Sequence, residues 1–149
     1  MTRKKAFWRE KRLVELSDSE WESLCDGCAK CCLNKLEDED TGDIYYTRVA
    51  CQLLDIKRCQ CTDYANRCER VPDCIDLRQL PQDQYGWLPS TCAYRLVAEG
   101  KDLPHWHPLK TDQPQLVHKA SASVRGRAIP ESQADMDDLE RYIVTWVHS

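Results

Sequence analysis

Residues 25–32 read CDGCAKCC and place four thiols within eight positions of the chain. The gaps of two residues let the backbone turn back, so that several sulfur atoms can face one point. Asp26-Gly27 is a turn dipeptide, and Gly27 can adopt a positive φ between the first two cysteines. Thiolates are soft ligands that select zinc or iron over hard cations. The stretch therefore predicts a bound metal ion or cluster.

The composition indicates a small protein whose fold depends on its cysteines. The chain has 149 residues, ten cysteines and a net charge of -4. Leu, Ile, Val and Phe make up about a fifth of it, so the apolar core must be thin. We expect one domain over residues 1–149, with a peripheral tail over 1–16, a cysteine core over 17–109 and a C-terminal strand and helix over 110–149. The predicted fold is a small, irregular, metal-stapled α+β domain.

The cysteines are expected to be metal ligands and not disulfides. The N-terminus is basic but has no apolar run of signal-peptide length, and no run is long enough to span a bilayer. These features predict a cytoplasmic protein with reduced thiols and no membrane association. The pI of about 5.6 argues against a nucleic-acid partner.

Local signals predict short elements around the cysteines. A capping box at Ser17–Glu20 predicts a short helix that leads into Cys25. The expected elements are a helical turn over residues 33–36, a strand over 43–51, loop over 75–89, a helix over 92–99 capped by Ser90 or Thr91, linker over 110–118, a strand over 122–129 and an amphipathic helix over 133–147.

Neighbouring side chains diverge in most backbone conformations, so Cys31 and Cys32 should not both bind the same centre. One of them should join Cys25 and Cys28, while the other serves a second centre or stays free. Further cysteines would complete one or two centres, and the predicted ligand set is Cys25, Cys28, Cys31, Cys32, Cys51, Cys59, Cys61, Cys74 and Cys92.

These motifs resemble the CxxCxxCC-domain proteins, the YkgJ-like group. CDGCAKCC matches the first motif of that group, and Cys61, Tyr64 and Arg67 match its second motif, C-x-x-Y-x-x-R. The closer similarity is to the YcgN-like branch of uncharacterised bacterial proteins, and it covers nearly the whole chain. The matching stretches are EWESLCDGC (20–28), CQC (59–61), PDC (72–74), WLP (87–89) and TCAYRL (91–96).

The resemblance implies a zinc- or iron-chelating domain. The wider family includes the flagellin lysine methylase, in which the motif is associated with an iron–sulfur cluster, but that enzyme's substrate machinery is not recognisable here. Cys68 stands where the wider family usually has Pro, so we expect it not to be a ligand.

Tyr64 and Arg67 lie three residues apart and are expected to share a helix face. One interpretation puts them beside the ligands, where they offset the negative charge of a thiolate cluster. The other makes Tyr64 a core residue and Arg67 a surface ion-pair partner. His105 and His107 flank Trp106 and are candidates for one additional ligand, although a hydrogen-bonded loop histidine is the default interpretation.

The sequence therefore predicts a metal-binding protein of unknown role that carries an iron–sulfur cluster for redox chemistry, sensing or support of a protein modification. The alternative is a structural zinc protein that acts as an adaptor. A third interpretation is an enzyme that uses Cys92 as a nucleophile. An unidentified protein is the expected partner or substrate.

Overall fold

The computed structural model describes residues 6–71, 74 and 77–148. Residues 1–5 of the expected tail, and Pro72 and Asp73 of one matched motif, lie outside this range. The architecture is α+β, as predicted, and consists of short elements. The helices are α1 (Phe7–Glu10), α2 (Asp18–Ser23), α3 (Arg67–Arg70), α4 (Ala93–Ala98), α5 (Pro108–Thr111) and α6 (Leu116–Lys119). The strands are β1 (Leu33–Glu37), β2 (Ile44–Ala50), β3 (Leu54–Asp55), β4 (Gln60–Cys61) and β5 (Ile129–Pro130).

The strands form two small sheets. The larger sheet has the order β1-β2-β5, with β1 and β2 antiparallel and β2 and β5 parallel. The smaller sheet is the antiparallel pair β3-β4. Among the described residues, no helix has the length and apolar content that crossing a membrane requires.

The helical turn expected over residues 33–36 is wrong, because this segment is strand β1. Its backbone pairs with β2, which satisfies donors and acceptors that a single helical turn would leave open. Thr47 Oγ1 donates to the carbonyl of Asn34 at 2.7 Å and ties the two strands together. The strand predicted over residues 43–51 is confirmed by β2.

The N-terminal segment contributes to the core, although we expected it at the periphery. Trp8, Leu13 and Leu16 are buried together with Trp21 and Leu24 of the α2 region. The indole N–H of Trp8 also donates to Asp102 Oδ1 at 3.0 Å. Ser17 caps α2 as predicted, since its Oγ accepts from the amide of Glu20. Residues 6–16 are therefore part of the packing that holds α2.

Helix α4 begins one residue later than predicted. Its N-cap is Cys92 itself, with extended φ and ψ, and not Ser90 or Thr91. Gly100 follows the helix with a φ of 74°, as expected for a residue after a C-terminus. The amide of Lys101 donates to the carbonyl of Leu96, which completes the C-terminal motif.

The predictions for the C-terminal third are largely wrong. The expected linker contains α5 and α6, where Val117 is fully buried. The strand expected over residues 122–129 is reduced to β5 (Ile129–Pro130), preceded by turns. The expected terminal helix is replaced by 3-10 turns and an extended stretch in which Val144 donates to the carbonyl of Tyr46. The β-branched residues of this stretch favour pairing with β2 over a helix.

A comparison of neighbouring residues tests the packing of the N-terminal segment. Leu13 is 4% exposed and Val14 is 75% exposed. We expect Leu13→Ala to lower the free energy of unfolding by about 2–5 kcal/mol, because it leaves a cavity in the core. Val14→Ala should change it by less than about 0.5 kcal/mol. Urea unfolding of both variants measures the difference, and equal effects would contradict the core position of this segment.

Candidate metal centre

The first cysteine loop is built around a tight turn at the end of α2. The amide of Cys28 donates to Asp26 Oδ1 at 3.0 Å, and Gly27 has a φ of 79°, as the dipeptide predicted. Ala29 also has a positive φ, and a 3-10 turn over Lys30–Cys32 follows. This path turns the chain back on itself directly after Cys25.

A first group of thiols consists of Cys25, Cys28, Cys31 and Cys92. Burial raises the pKa of Cys25 to about 12, and the thiols of Cys31 and Cys92 add to the effect. Burial also raises the pKa of Cys28 well above its usual value, with contributions from Cys31 and Cys25. Cys25 and Cys31 are nevertheless exposed by surface area. The exposed fraction is that of the whole residue, so it is compatible with a sulfur atom that protein surrounds. We call these four residues group A.

Cys92 comes to group A from a distant part of the chain. It lies at the start of α4, and the neighbouring Thr91 accepts a hydrogen bond from the buried Lys30 at 3.2 Å. Burial raises the pKa of Cys92 to about 12, followed by the effect of Cys31, although backbone amides of α4 oppose the shift. A nucleophile needs thiolate at neutral pH, so this environment disfavours the interpretation of Cys92 as a catalytic nucleophile.

The adjacent cysteines contact each other, and their remaining neighbours differ. Cys32 hydrogen-bonds to Cys31, which lowers the pKa of Cys31 and raises that of Cys32. Lys35 lowers the pKa of Cys31 further, whereas Cys51 and Cys74 raise that of Cys32. Cys31 thus belongs to group A, and Cys32 faces other cysteines.

A second group of thiols consists of Cys32, Cys51, Cys61 and Cys74, which we call group B. The amide of Cys51 donates to the carbonyl of Cys32 at 2.7 Å, directly beside the β1-β2 pair. Cys61 lies opposite Leu54 in the β3-β4 pair and raises the pKa of Cys51 after burial and Glu131. Burial raises the pKa of Cys74 to about 11, followed by the effect of Cys68, and Cys51 also contributes to that shift. Cys74 itself lies outside the strands, after α3.

The thiols in each group are neighbours but do not converge on one point. In the part of the chain that the structure describes, no three Cys, His, Asp or Glu side chains form a group that could hold a metal ion. The four thiols of each group nevertheless match the ligand number of tetrahedral zinc and of a four-cysteine iron–sulfur cluster. The donor chemistry thus fits either cofactor.

The two remaining cysteines have other surroundings. Cys59 is buried in an apolar cluster with Tyr46 and Val124, and Ile56 accepts from its thiol at 3.5 Å. Burial raises its pKa, while Arg125 lowers it. The structure therefore does not bring Cys59 to either group, although it was among the predicted ligands. Cys68 is exposed and donates to the carbonyl of Cys74 at 3.6 Å.

Tyr64 and Arg67 contact each other beside the thiols. The Arg67 guanidinium lies 3.9 Å from the centre of the Tyr64 ring, and Tyr64 is 51% exposed, so it is not a core residue. Its hydroxyl donates to the Glu22 carboxylate at 3.2 Å. Arg67 lowers the pKa of Cys74, and Cys25 raises that of Tyr64. The pair therefore lies where it can influence both groups.

His107 is a structural residue and not a metal ligand. Its Nδ1 accepts from the amide of Leu109 at 3.0 Å, so Nε2 carries the proton and donates to the carbonyl of Leu24 at 2.6 Å. The ring is fully buried, and burial lowers its pKa. His105 is exposed and stacks edge-on against Trp106.

The sequence analysis missed a partly buried contact between Asp26 and Trp106. The indole N–H of Trp106 donates to Asp26 Oδ2 at 2.9 Å, across 80 residues of sequence. Asp26 is 7% exposed and raises the pKa of the thiols around it. No local pattern could reveal this pairing, because Asp26 is also a typical turn residue.

The geometry and the motifs define a small cysteine-rich protein of the CxxCxxCC class. The family model described as "Putative zinc- or iron-chelating domain" matches residues 24–93. The UPF0260 protein of Parvibaculum lavamentivorans is 59% identical over 140 residues, covering 94% of this chain and 92% of that protein. The UPF0260 protein of Pseudomonas aeruginosa is 56% identical over 138 residues, covering 93% of each chain. No solved structure matches. The chain belongs to the UPF0260 family, and the predicted resemblance is confirmed.

The buried His107 predicts a pH dependence of stability. Its folded pKa lies below the usual 6.5, so the unfolded state binds a proton more readily. Its contribution is complete above the unfolded pKa and is lost as the pH falls towards the folded pKa. Between about pH 7.5 and about pH 5.5, wild type should therefore lose more unfolding free energy than His107→Gln. Urea unfolding at both pH values measures this, and equal losses would contradict the neutral, buried ring.

Proposed function

We propose that this protein binds two iron–sulfur clusters, one at group A and one at group B, and that it has a redox role. The observation that carries the proposal is the separation of eight cysteines into two groups of four. An iron–sulfur cluster supplies one-electron chemistry when bound. The residues of this chain would hold it, exclude water and adjust its potential.

The number of thiols supports the proposal. Each group has four cysteines, which is the ligand number of a four-cysteine iron–sulfur cluster. The thiols of group A also shift one another's pKa values.

Positive side chains near the thiols also support the proposal. Lys35 lowers the pKa values of Cys31 and Cys51, and it therefore lies near members of both groups. Arg67 lowers the pKa of Cys74 in group B. A cluster held by four thiolates carries net negative charge, which such cations stabilise.

A structural zinc protein is the second candidate. The observation that favours it is that each group joins segments that are far apart in sequence, such as Cys25 with Cys92 and Cys32 with Cys74. Structural zinc stabilises short elements by joining such distant segments. The family description covers zinc and iron alike. Zinc is colourless and redox-inert, so metal analysis distinguishes the two candidates.

Single cysteine substitutions test the proposal by removing one centre at a time. After anaerobic purification from cells supplied with iron and zinc, wild type should be brown and contain iron and acid-labile sulfide in near-equal amounts. Cys28→Ser in group A and Cys51→Ser in group B should each lose about half of the iron and sulfide, because each removes one of four ligands. Cys68→Ser is the matched control and should retain all of it.

Two results would contradict the proposal. A colourless wild-type protein that holds one or two zinc ions without sulfide would replace it with the structural zinc function. Full iron content in both Cys28→Ser and Cys51→Ser would contradict the assignment of ligands to two groups. The visible spectrum and the metal and sulfide analyses are recorded on the same samples.

A further inference from the structure

Cys68 is an exposed thiol that belongs to neither group. It lies in α3, and the other exposed cysteines, Cys25 and Cys31, are both members of group A. The thiol of Cys68 contacts another cysteine, since it donates to the carbonyl of Cys74 at 3.6 Å. An accessible thiol beside a second cysteine is the arrangement in which a disulfide can form and break.

The backbone after α3 brings Cys74 back to Cys68. The helix ends at Arg70, and Val71 follows it with an extended backbone. The amide of Cys74 donates to the carbonyl of Val71 at 2.9 Å, so the chain returns towards α3 at this point. The two cysteines are only six positions apart in sequence, and the bond between them would close a short loop without any rearrangement of distant segments.

The side chains of the two cysteines also contact each other. Burial is the main cause that raises the pKa of Cys74, followed by the charge of Cys68, and a hydrogen bond between the two thiols adds to the shift. Rotation about the side-chain bonds of thiols that already touch can bring the sulfur atoms to the S–S bond length of about 2.05 Å. Cys74 is half-buried, so Cys68 is the member of the pair that a dissolved molecule reaches first.

We propose that Cys68 and Cys74 form a reversible disulfide by exchange with a small disulfide of the glutathione type. The Cys68 thiolate attacks one sulfur of the small disulfide, which forms a mixed disulfide and releases the first small thiolate. The Cys74 thiolate then attacks the Cys68 sulfur, so the bond between the two cysteines forms and the second small thiolate leaves. The two cysteines lose two electrons and two protons, and the small disulfide takes up both to become two thiols.

The disulfide makes metal binding at group B depend on the redox state. A metal binds the thiolate form of cysteine, which a sulfur in a disulfide no longer has. The bond to Cys68 therefore removes Cys74 from the ligands of group B. Exposed disulfides are also the ones that thiols reduce most readily, so the change is reversible. This consequence rests on the proposed function, whereas the disulfide itself does not.

The test incubates the full-length wild-type protein anaerobically with oxidised glutathione, blocks the remaining thiols with N-ethylmaleimide and digests the product with trypsin. Trypsin cleaves after Arg67, Arg70 and Arg78, so the two cysteines fall on separate peptides, residues 68–70 and 71–78. We expect mass spectrometry to find these two peptides joined to each other and free of glutathione. Dithiothreitol should separate them.

Two variants identify the partner of Cys74. Cys68→Ser should abolish the joined peptides. Cys51→Ser is the matched control, because Cys51 is another thiol near Cys74, and it should retain them. Glutathione attached to Cys68 alone, a bond from Cys74 to Cys51 or Cys32, or a wild-type protein that stays unmodified would overturn the inference and leave the proposed function standing.

Metal analysis of the same samples tests the consequence for group B. Wild type should lose about half of its iron and acid-labile sulfide as the joined peptides appear, because group B loses one of four ligands. Cys68→Ser should retain both under the same treatment. Joined peptides with full metal content would support the disulfide and contradict Cys74 as a ligand. A wild-type protein without iron and sulfide before oxidation would overturn the proposed function, while the joined peptides would still establish the disulfide.

Discussion

The organisation of this protein depends on the contact between two adjacent cysteines, Cys31 and Cys32, whose remaining cysteine neighbours come from different parts of the chain. Cys31 follows Lys30 in a 3-10 turn, and Cys32 leads directly into β1. Cys31 raises the pKa values of Cys25, Cys28 and Cys92, whereas Cys51 and Cys74 raise that of Cys32. One peptide bond therefore joins the two groups of thiols.

The elements around the groups are too short to be stable alone. Helices of four to six residues have few internal hydrogen bonds, so their stability comes from packing. Three apolar clusters of described residues supply this packing, one around Trp21 and Leu24, one around Tyr46 and Val124, and one of Cys28, Val117 and Ala122. Leu24 precedes Cys25, and the amide of Val124 donates to the carbonyl of Cys28. The core thus supports the backbone that carries the thiols, and bound metal would in turn stabilise the core.

Sequence reasoning succeeded where local chemistry decides the structure. The Ser17 capping box, the positive φ of Gly27 and the strand at β2 each depend on residues within a few positions of one another. The predictions were wrong where contacts between residues far apart in sequence decide the structure. The apolar spacing of residues 133–147 fits a helix, but the edge of β2 offers Val144 a backbone partner at Tyr46. The contacts of Trp106 with Asp26 and of His107 with Leu24 span about 80 residues and leave no local signal. The ligand assignment stays a prediction.

The most direct test of the central account is a crystal structure of the metal-loaded protein, with anomalous diffraction measured at the iron and zinc edges. The account predicts two iron peaks, one surrounded by Cys25, Cys28, Cys31 and Cys92, and the other by Cys32, Cys51, Cys61 and Cys74. A single peak that binds Cys31 and Cys32 together would contradict the division into two groups. Two zinc peaks in the same positions would retain the division and contradict the redox role.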